Sequence, residues 1–238
     1  MNGKLYLIPT LLGDDESMIN WVIPQKVKEV VNLITYYIVE NERTARRYLL
    51  KIGYKTPIDD TRFFVLNKHT RDEEVASFLK PAMEGKSIGL LSEAGVPCVA
   101  DPGNVIVQLA HSKNIKIEPL TGPSSIILAL MASGFNGQNF SFLGYLPIDK
   151  GERMRKLKQL ETISVKENQT QIFIETPYRN QKMFDDIIHS CQPSTFLCIA
   201  CNITLQDAYI KSMSINDWKK SKPDLNKRPT VFLIYKKS

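Results

Sequence analysis

The residues best placed to do chemistry lie in one stretch, Ser92-Glu93-Ala94-Gly95-Val96-Pro97-Cys98-Val99-Ala100-Asp101-Pro102-Gly103. It follows the apolar run Ser87 to Leu91 directly, so a buried strand would hold a loop framed by two Gly/Pro turns. Gly95 and Gly103 free that loop to take positive φ, or to approach a bound molecule with no Cβ in the way. A second device lies at Leu120-Thr121-Gly122-Pro123-Ser124-Ser125, where a strand-like run turns into the apolar segment Ile126 to Ala132. Two such loops in one domain point to a nucleotide-like ligand.

Other chemistries leave no comparable trace. The phosphate-loop string GxxxxGK[ST], the dinucleotide string GxGxxG and the GxSxG elbow are all absent. His69, His111 and His189 occur in unrelated contexts and read as satisfied or exposed side chains; only His69 falls at a strand end near the candidate loops. Cys98, Cys191, Cys198 and Cys201 are not spaced as a disulfide scaffold. Cys198-Ile199-Ala200-Cys201 is nominally a CxxC, but it sits in a buried-strand pattern without a second ligand pair. These cysteines read as core thiols rather than a zinc or redox centre, and no metal is expected.

The elements that must position these loops are legible as alternating periodicities. Strands are expected at Gly3 to Ile8, Leu33 to Val39, Phe63 to Leu66, Ser87 to Leu91 and Ile115 to Pro119. Between them, helices are expected at Pro24 to Val31, Arg43 to Ile52, Asp72 to Glu84 and Asn104 to Lys113, with Gly53 and Gly85 as stops. That β/α alternation predicts a parallel sheet with right-handed crossovers and a ligand at the carboxyl ends of its strands. After Ser133-Gly134 the character changes. Strands at 140–146, 170–174, 196–203, 209–214 and 230–235, with helices at 150–162 and 180–190, predict a second α/β lobe on a mixed or largely antiparallel sheet. The lobes are expected to divide as 1–119 and 120–238, hinged near Pro119 to Gly122.

With 238 residues and 43% hydrophobic content, the chain can bury a core in each lobe. It has no apolar run long enough to span a bilayer and no signal-type N-terminus, so a cytoplasmic, soluble protein is expected. Net charge is +6. Lys150 to Lys158 concentrates Arg153, Arg155 and Lys156 among five basic residues, and Lys219 to Lys222 with Lys227-Arg228 forms a second cluster. Such clusters are either a solvated basic face or a contact for a polyanion.

Eight strings together resemble a known family. Leu5-Tyr6-Leu7-Ile8-Pro9-Thr10, Glu40-Asn41-Glu42-Arg43-Thr44, Ser92 to Pro97, Ala100-Asp101-Pro102-Gly103, Thr121 to Ser125, Ala132-Ser133-Gly134, Gly144-Tyr145-Leu146-Pro147 and Glu175-Thr176-Pro177-Tyr178-Arg179 occur in the order seen in tetrapyrrole-methylase-fold enzymes. The match covers nearly the whole chain. It is most similar to the branch that methylates a cytidine ribose 2′-oxygen in small-subunit ribosomal RNA.

The resemblance implies a two-lobed tetrapyrrole-methylase (class III methyltransferase) α/β fold, S-adenosylmethionine as methyl donor in a cleft between the lobes, and a homodimer. Pro9 would pack near the adenosine. Ala94, Gly95, Val96 and Val99 would offer backbone to the methionine portion, and Ser124 and Ser125 would hydrogen-bond it. The second lobe would contribute Glu175 and Thr176, Ile203 and Thr204, and Pro229 and Thr230. Arg153, Arg155 and Lys156 would contact RNA.

In-line methyl transfer rewards alignment and needs neither a covalent nucleophile nor a metal. A ribose hydroxyl, however, needs a proton acceptor, for which Glu93, Asp101, Glu40 and Glu175 are candidates. Asp101 is equally a turn former before Pro102, and Glu40 a helix cap or a partner of Arg43.

The chain also departs from the ribosomal branch. Pro9-Thr10-Leu11-Leu12-Gly13-Asp14 replaces a Thr-Pro-Ile-Gly-Asn type of loop, Glu42 a threonine, Lys68-His69-Thr70-Arg71 a His-Glu-His-Asn stretch, and Glu93 an aspartate. Two alternatives stay open: methylation of a tetrapyrrole or other small molecule, and a donor-binding module without turnover.

Overall fold

The structure, a computed structural model, describes residues 2–237, and the chain divides into two units between Ser124 and Ser125. In the first unit β1 (Lys4–Ile8), β2 (Tyr36–Val39), β3 (Arg62–Val65), β4 (Ile88–Leu91) and β5 (Lys116–Pro119) form one sheet in the order β3-β2-β4-β1-β5. Every pairing in it is parallel. Between the strands run α1 (Ile19–Val22), α2 (Gln25–Val31), α3 (Glu42–Lys51), α4 (Asp72–Val75), α5 (Lys80–Met83) and α6 (Asn104–Ser112).

Side chains alternate across each strand, so the two faces build separate cores. Ile8, Tyr37, Val39 and Leu91 pack with Val27, Val31 and Leu49 from α2 and α3, while Leu5, Ile38, Ile88 and Leu90 pack with Leu79, Ile106 and Ala110. Gly89 is forced by this packing. A Cβ there would lie 2.6 Å from Ile8 Cδ1 and 2.8 Å from the Tyr37 ring.

The second unit holds β6 (Phe140–Tyr145), β7 (Thr170–Ile174), β8 (Phe196–Cys201), β9 (Tyr209–Ser214) and β10 (Thr230–Tyr235) in the order β6-β7-β10-β8-β9. Only the β6–β7 pair is parallel among the described residues, so the sheet is mixed. Its helices are α7 (Ser125–Ser133), α8 (Lys150–Glu167), α9 (Asn180–Ser190) and α10 (Ile215–Trp218). Phe173, Leu197, Phe232 and Ile234 pack against Leu157 and Leu160 of α8, Met183 and Ile187 of α9, and Trp218.

Several expected elements differ in detail. The helix expected over 72–84 is two short α segments joined by turns, because Pro81 has no N–H for the Ser77 carbonyl, which accepts from Lys80 N at 3.0 Å instead. Leu33 and Ile34 belong to the turn leaving α2, donating to Val30 O and Val31 O, so β2 begins at Tyr36. β8 ends at Cys201, because Asn202 at φ 50° turns the chain and leaves Ile203 and Thr204 in a loop. In the other direction, α8 runs to Glu167 and is stopped by the left-handed Asn168 (φ 48°). The helices α1 and α10, four residues each, are too short for sequence periodicity to mark.

Candidate active site

In a parallel sheet all carboxyl ends lie at one edge, which brings together the loops after β1, β2, β4 and β5. Backbone bonds lock three of them. Thr10 N donates to Gly95 O at 2.9 Å, Gly95 N to Leu11 O at 3.4 Å, and Val96 N to Pro123 O at 3.1 Å. Beneath them Ser92 Oγ donates to Gly95 O and lies 3.4 Å from Thr10 Oγ1.

Gly95 has φ 73°, and a Cβ on it would sit 2.8 Å from both Pro123 O and Leu12 Cδ2. Left-handed backbone also occurs at Cys98 (φ 68°) and Ala100 (φ 63°), where a side chain makes it costly. Such strain was not legible in the sequence. Gly103 corrects an expectation: its φ is −62°, and what its missing Cβ admits is its own loop, since a Cβ would lie 2.9 Å from Asp101 Oδ1 and 3.1 Å from Cys98 Sγ. Burial and the Asp101 charge push the Cys98 thiol up to about 11, so it is no thiolate nucleophile at neutral pH.

The four candidate carboxylates have different surroundings. Asp101 accepts from Cys98 N at 2.8 Å and Gly103 N at 2.7 Å, one bond per oxygen, and so forms the turn. Glu175 is buried and accepts from Arg179 Nη2 at 2.6 Å and Thr176 N at 2.6 Å. Glu93 is exposed and held by Thr44 Oγ1 at 2.6 Å. Glu40 is half-buried, and burial, then the Asp101 and Glu93 charges, hold its carboxyl above the ordinary range. It is neither cap nor partner to Arg43. Asn41 caps α3 by accepting from Arg43 N at 2.9 Å, and Arg43 makes no ion pair among the described residues.

A cavity of about 280 Å³ opens beside these loops within the first unit. Leu11 to Asp14 form one wall, Leu91 to Glu93 the floor, and Thr44, Arg47, Tyr48 and Lys51 of α3 the opposite wall. The last four recur at helical spacing on one face. Tyr48 OH donates to Pro9 O at 2.6 Å and ties α3 to the first loop. Tyr48 is itself part of the core, with Ala45 and Leu49 on the buried stripe of α3, whereas Arg47 and Lys51 carry no local signal beyond the cap at Asn41 that fixes the helix start.

In the second unit the remaining expected donor residues gather at one sheet end, where antiparallel β10 brings its first residue, Thr230, opposite Cys201 of β8 and Val231 opposite Ile174 of β7. Asn202 N donates to Pro229 O at 2.9 Å, and Lys227 N to Pro177 O at 3.1 Å. Thr204 is strained at φ 71°. The buried oxygens Asn180 Oδ1 and Asn202 Oδ1 have no partner among the described residues, although Asn180 Nδ2 reaches Arg228 O at 2.6 Å.

The basic cluster requires a correction. Arg153 is buried, donates to Asp186 Oδ2 through Nε at 2.8 Å, and caps the carbonyls of Pro147 and Ile148. It faces the core because it shares the buried stripe of α8 with Leu157, Leu160 and Ser164, so it presents no donor to RNA. Arg155 is exposed and Lys156 half-exposed. Cys198 and Cys201 stand three apart on β8 and so on opposite faces; both are buried. Among the described residues no group of three metal-ligating side chains occurs, and no helix is long and apolar enough to cross a membrane.

The parallel sheet followed by a mixed sheet is the tetrapyrrole methyltransferase fold. The chain superposes on the methyltransferase CobJ with TM-score 0.64 at 15% identity, covering 98% of this chain and 94% of that one. A uroporphyrin-III C-methyl transferase from Thermus thermophilus, solved in complex with S-adenyl homocysteine, matches with TM-score 0.58 at 14% identity over 98% of each chain. No family model matches the sequence. The Ribosomal RNA small subunit methyltransferase I of Buchnera aphidicola subsp. Schizaphis graminum is 33% identical over 98% of this chain and 78% of its own length. That of Escherichia coli O157:H7 is 28% identical over 98% of this chain and 77% of its own. The chain belongs to the ribosomal RNA small subunit methyltransferase I family.

Proposed function

We propose that the chain methylates the ribose 2′-oxygen of a cytidine in small-subunit ribosomal RNA, with S-adenosylmethionine as donor. One observation carries the donor assignment: the cradle of left-handed backbone at Gly95, Cys98 and Ala100, bonded to the first loop and to Pro123. A Cβ at Gly95 would meet Pro123 O and Leu12 Cδ2 at 2.8 Å, so the bare position lets the three loops close together, and a small-residue loop with exposed Ala94 and Val99 suits a zwitterionic amino acid end. When bound, the donor supplies an electrophilic methyl group for in-line transfer.

The protein's part is positioning and proton handling. Backbone at Ala94, Gly95, Val96 and Val99, with Pro9, Ser124 and Ser125, holds the donor. In the second unit Glu175, Thr176, Ile203, Thr204, Pro229 and Thr230 gather at one sheet end, and their part in donor binding rests on the family resemblance. Glu93 accepts the hydroxyl proton: it is exposed and oriented by Thr44, whereas Asp101 and Glu175 are occupied. Arg155 and Lys156 contact RNA phosphates. A cytoplasmic homodimer completes the reading, supported by the family resemblance.

The test incubates purified protein with labelled donor and small-subunit ribosomal RNA. Label is expected on a cytidine 2′-oxygen, and Glu93→Gln should lower kcat about 10²–10⁴-fold with donor affinity unchanged. Label on no RNA, or a Glu93→Gln variant with full kcat, would contradict the respective assignment.

A further inference from the structure

We infer that the cavity between the first loop and α3 receives the acceptor RNA strand, with Arg47 and Lys51 holding a backbone phosphate beside the ribose that faces Thr44 and Glu93. The inference rests on the methyl-transfer reading above and adds where the acceptor sits and what grips it.

The cavity is open and lies within one unit; its α3 wall carries Arg47 and Lys51, with Asp14 on the facing loop and Glu93 on the floor. Arg47 is exposed and makes no ion pair within 4 Å among the described residues, so its guanidinium is available to an outside anion. Lys51 stands four residues further along the same face, where Asp14 and Glu16 hold it; both acids are exposed, at 82% and 66%. A phosphate arriving there exchanges with a solvated carboxylate and breaks no buried pair. Leu11 and Leu12 give the opposite wall an apolar surface for a sugar or base.

Spacing fits a nucleotide. Thr44, which orients Glu93, and Arg47 are three residues apart on one helix face, about 5–6 Å between Cβ atoms, a span on the order of that between a ribose hydroxyl and the adjoining phosphate. Arginine suits this role because its planar fork matches phosphate oxygens bidentately. Tyr48 cannot compete for the ligand through its hydroxyl, which is bonded to Pro9 O. It instead fixes the helix against the loop.

Arg47→Ala and Arg47→Lys are to be compared with the unmodified protein in three readouts: S-adenosylhomocysteine affinity by calorimetry, KM and kcat for small-subunit RNA, and the salt dependence of RNA affinity. For Arg47→Ala a rise in KM of about tenfold is expected, with a salt slope shallower by about 0.7–1. Donor-product affinity should stay within twofold, and Arg47→Lys should recover the slope but not the full KM. Unaltered RNA affinity and slope in an active Arg47→Ala enzyme would overturn the inference alone. Lost S-adenosylhomocysteine affinity in that variant would also overturn it, by giving the cavity to the donor. If the unmodified protein methylates no RNA, the underlying reading falls with it.

Discussion

Glu40 and Glu93 leave adjoining strands yet meet opposite conditions, and the difference is testable. Glu93 is in water and tethered by one hydroxyl, while Glu40 is half-buried beside two other carboxylates. Burial first, and like charge second, make the folded protein bind the Glu40 proton more tightly than the unfolded chain does. Stability therefore falls as pH rises from the ordinary glutamate value of 4.5 through the raised folded value. Glu40→Gln removes that liability: it should melt higher than the parent at pH 7, and the difference should vanish below pH 4.5, where both chains are neutral at this position. Thermal melts across pH measure it directly. A constant difference at all pH values would show that the charge is not its source.

At the scale of elements, α3 carries much of the site. It supplies Thr44, Arg47, Tyr48 and Lys51, and its start is fixed by Asn41, whose side chain accepts from the Arg43 and Thr44 amides. Asn41→Ala should cost about 1 kcal/mol in denaturant unfolding, and Asn41→Asp should recover most of it. Equal stability of all three proteins would remove the cap from the account.

Strands and their closing loops are legible in the sequence, because alternation and Gly/Pro punctuation are local signals; β9 and β10 match the expected bounds. The helix expected over 72–84 failed on one imino acid, Pro81, and the end of α8 on Asn168, a left-handed stop less conspicuous than glycine. What stayed hidden depended on tertiary contact. Arg153 reads as surface cation until Asp186, 33 residues on, is seen to neutralise it in the core. Likewise, nothing local marks Cys98 and Ala100 for positive φ; their loop is held by bonds to β1 and β5 connections far away in sequence.

At the scale of the molecule, each unit has its own core and its own cluster of expected donor residues, one at a parallel-sheet edge and one at the β7, β8 and β10 ends. A net charge of +6 favours a polyanionic partner but selects none. The central claim is thus about the loops: the Gly95 cradle binds the methyl donor. The most direct measurement is calorimetric titration of S-adenosylhomocysteine into the unmodified protein and Gly95→Arg, with circular dichroism and a thermal melt confirming that both are folded. Saturable binding to the first and none to a folded second is the predicted result. Equal affinity for both would contradict it.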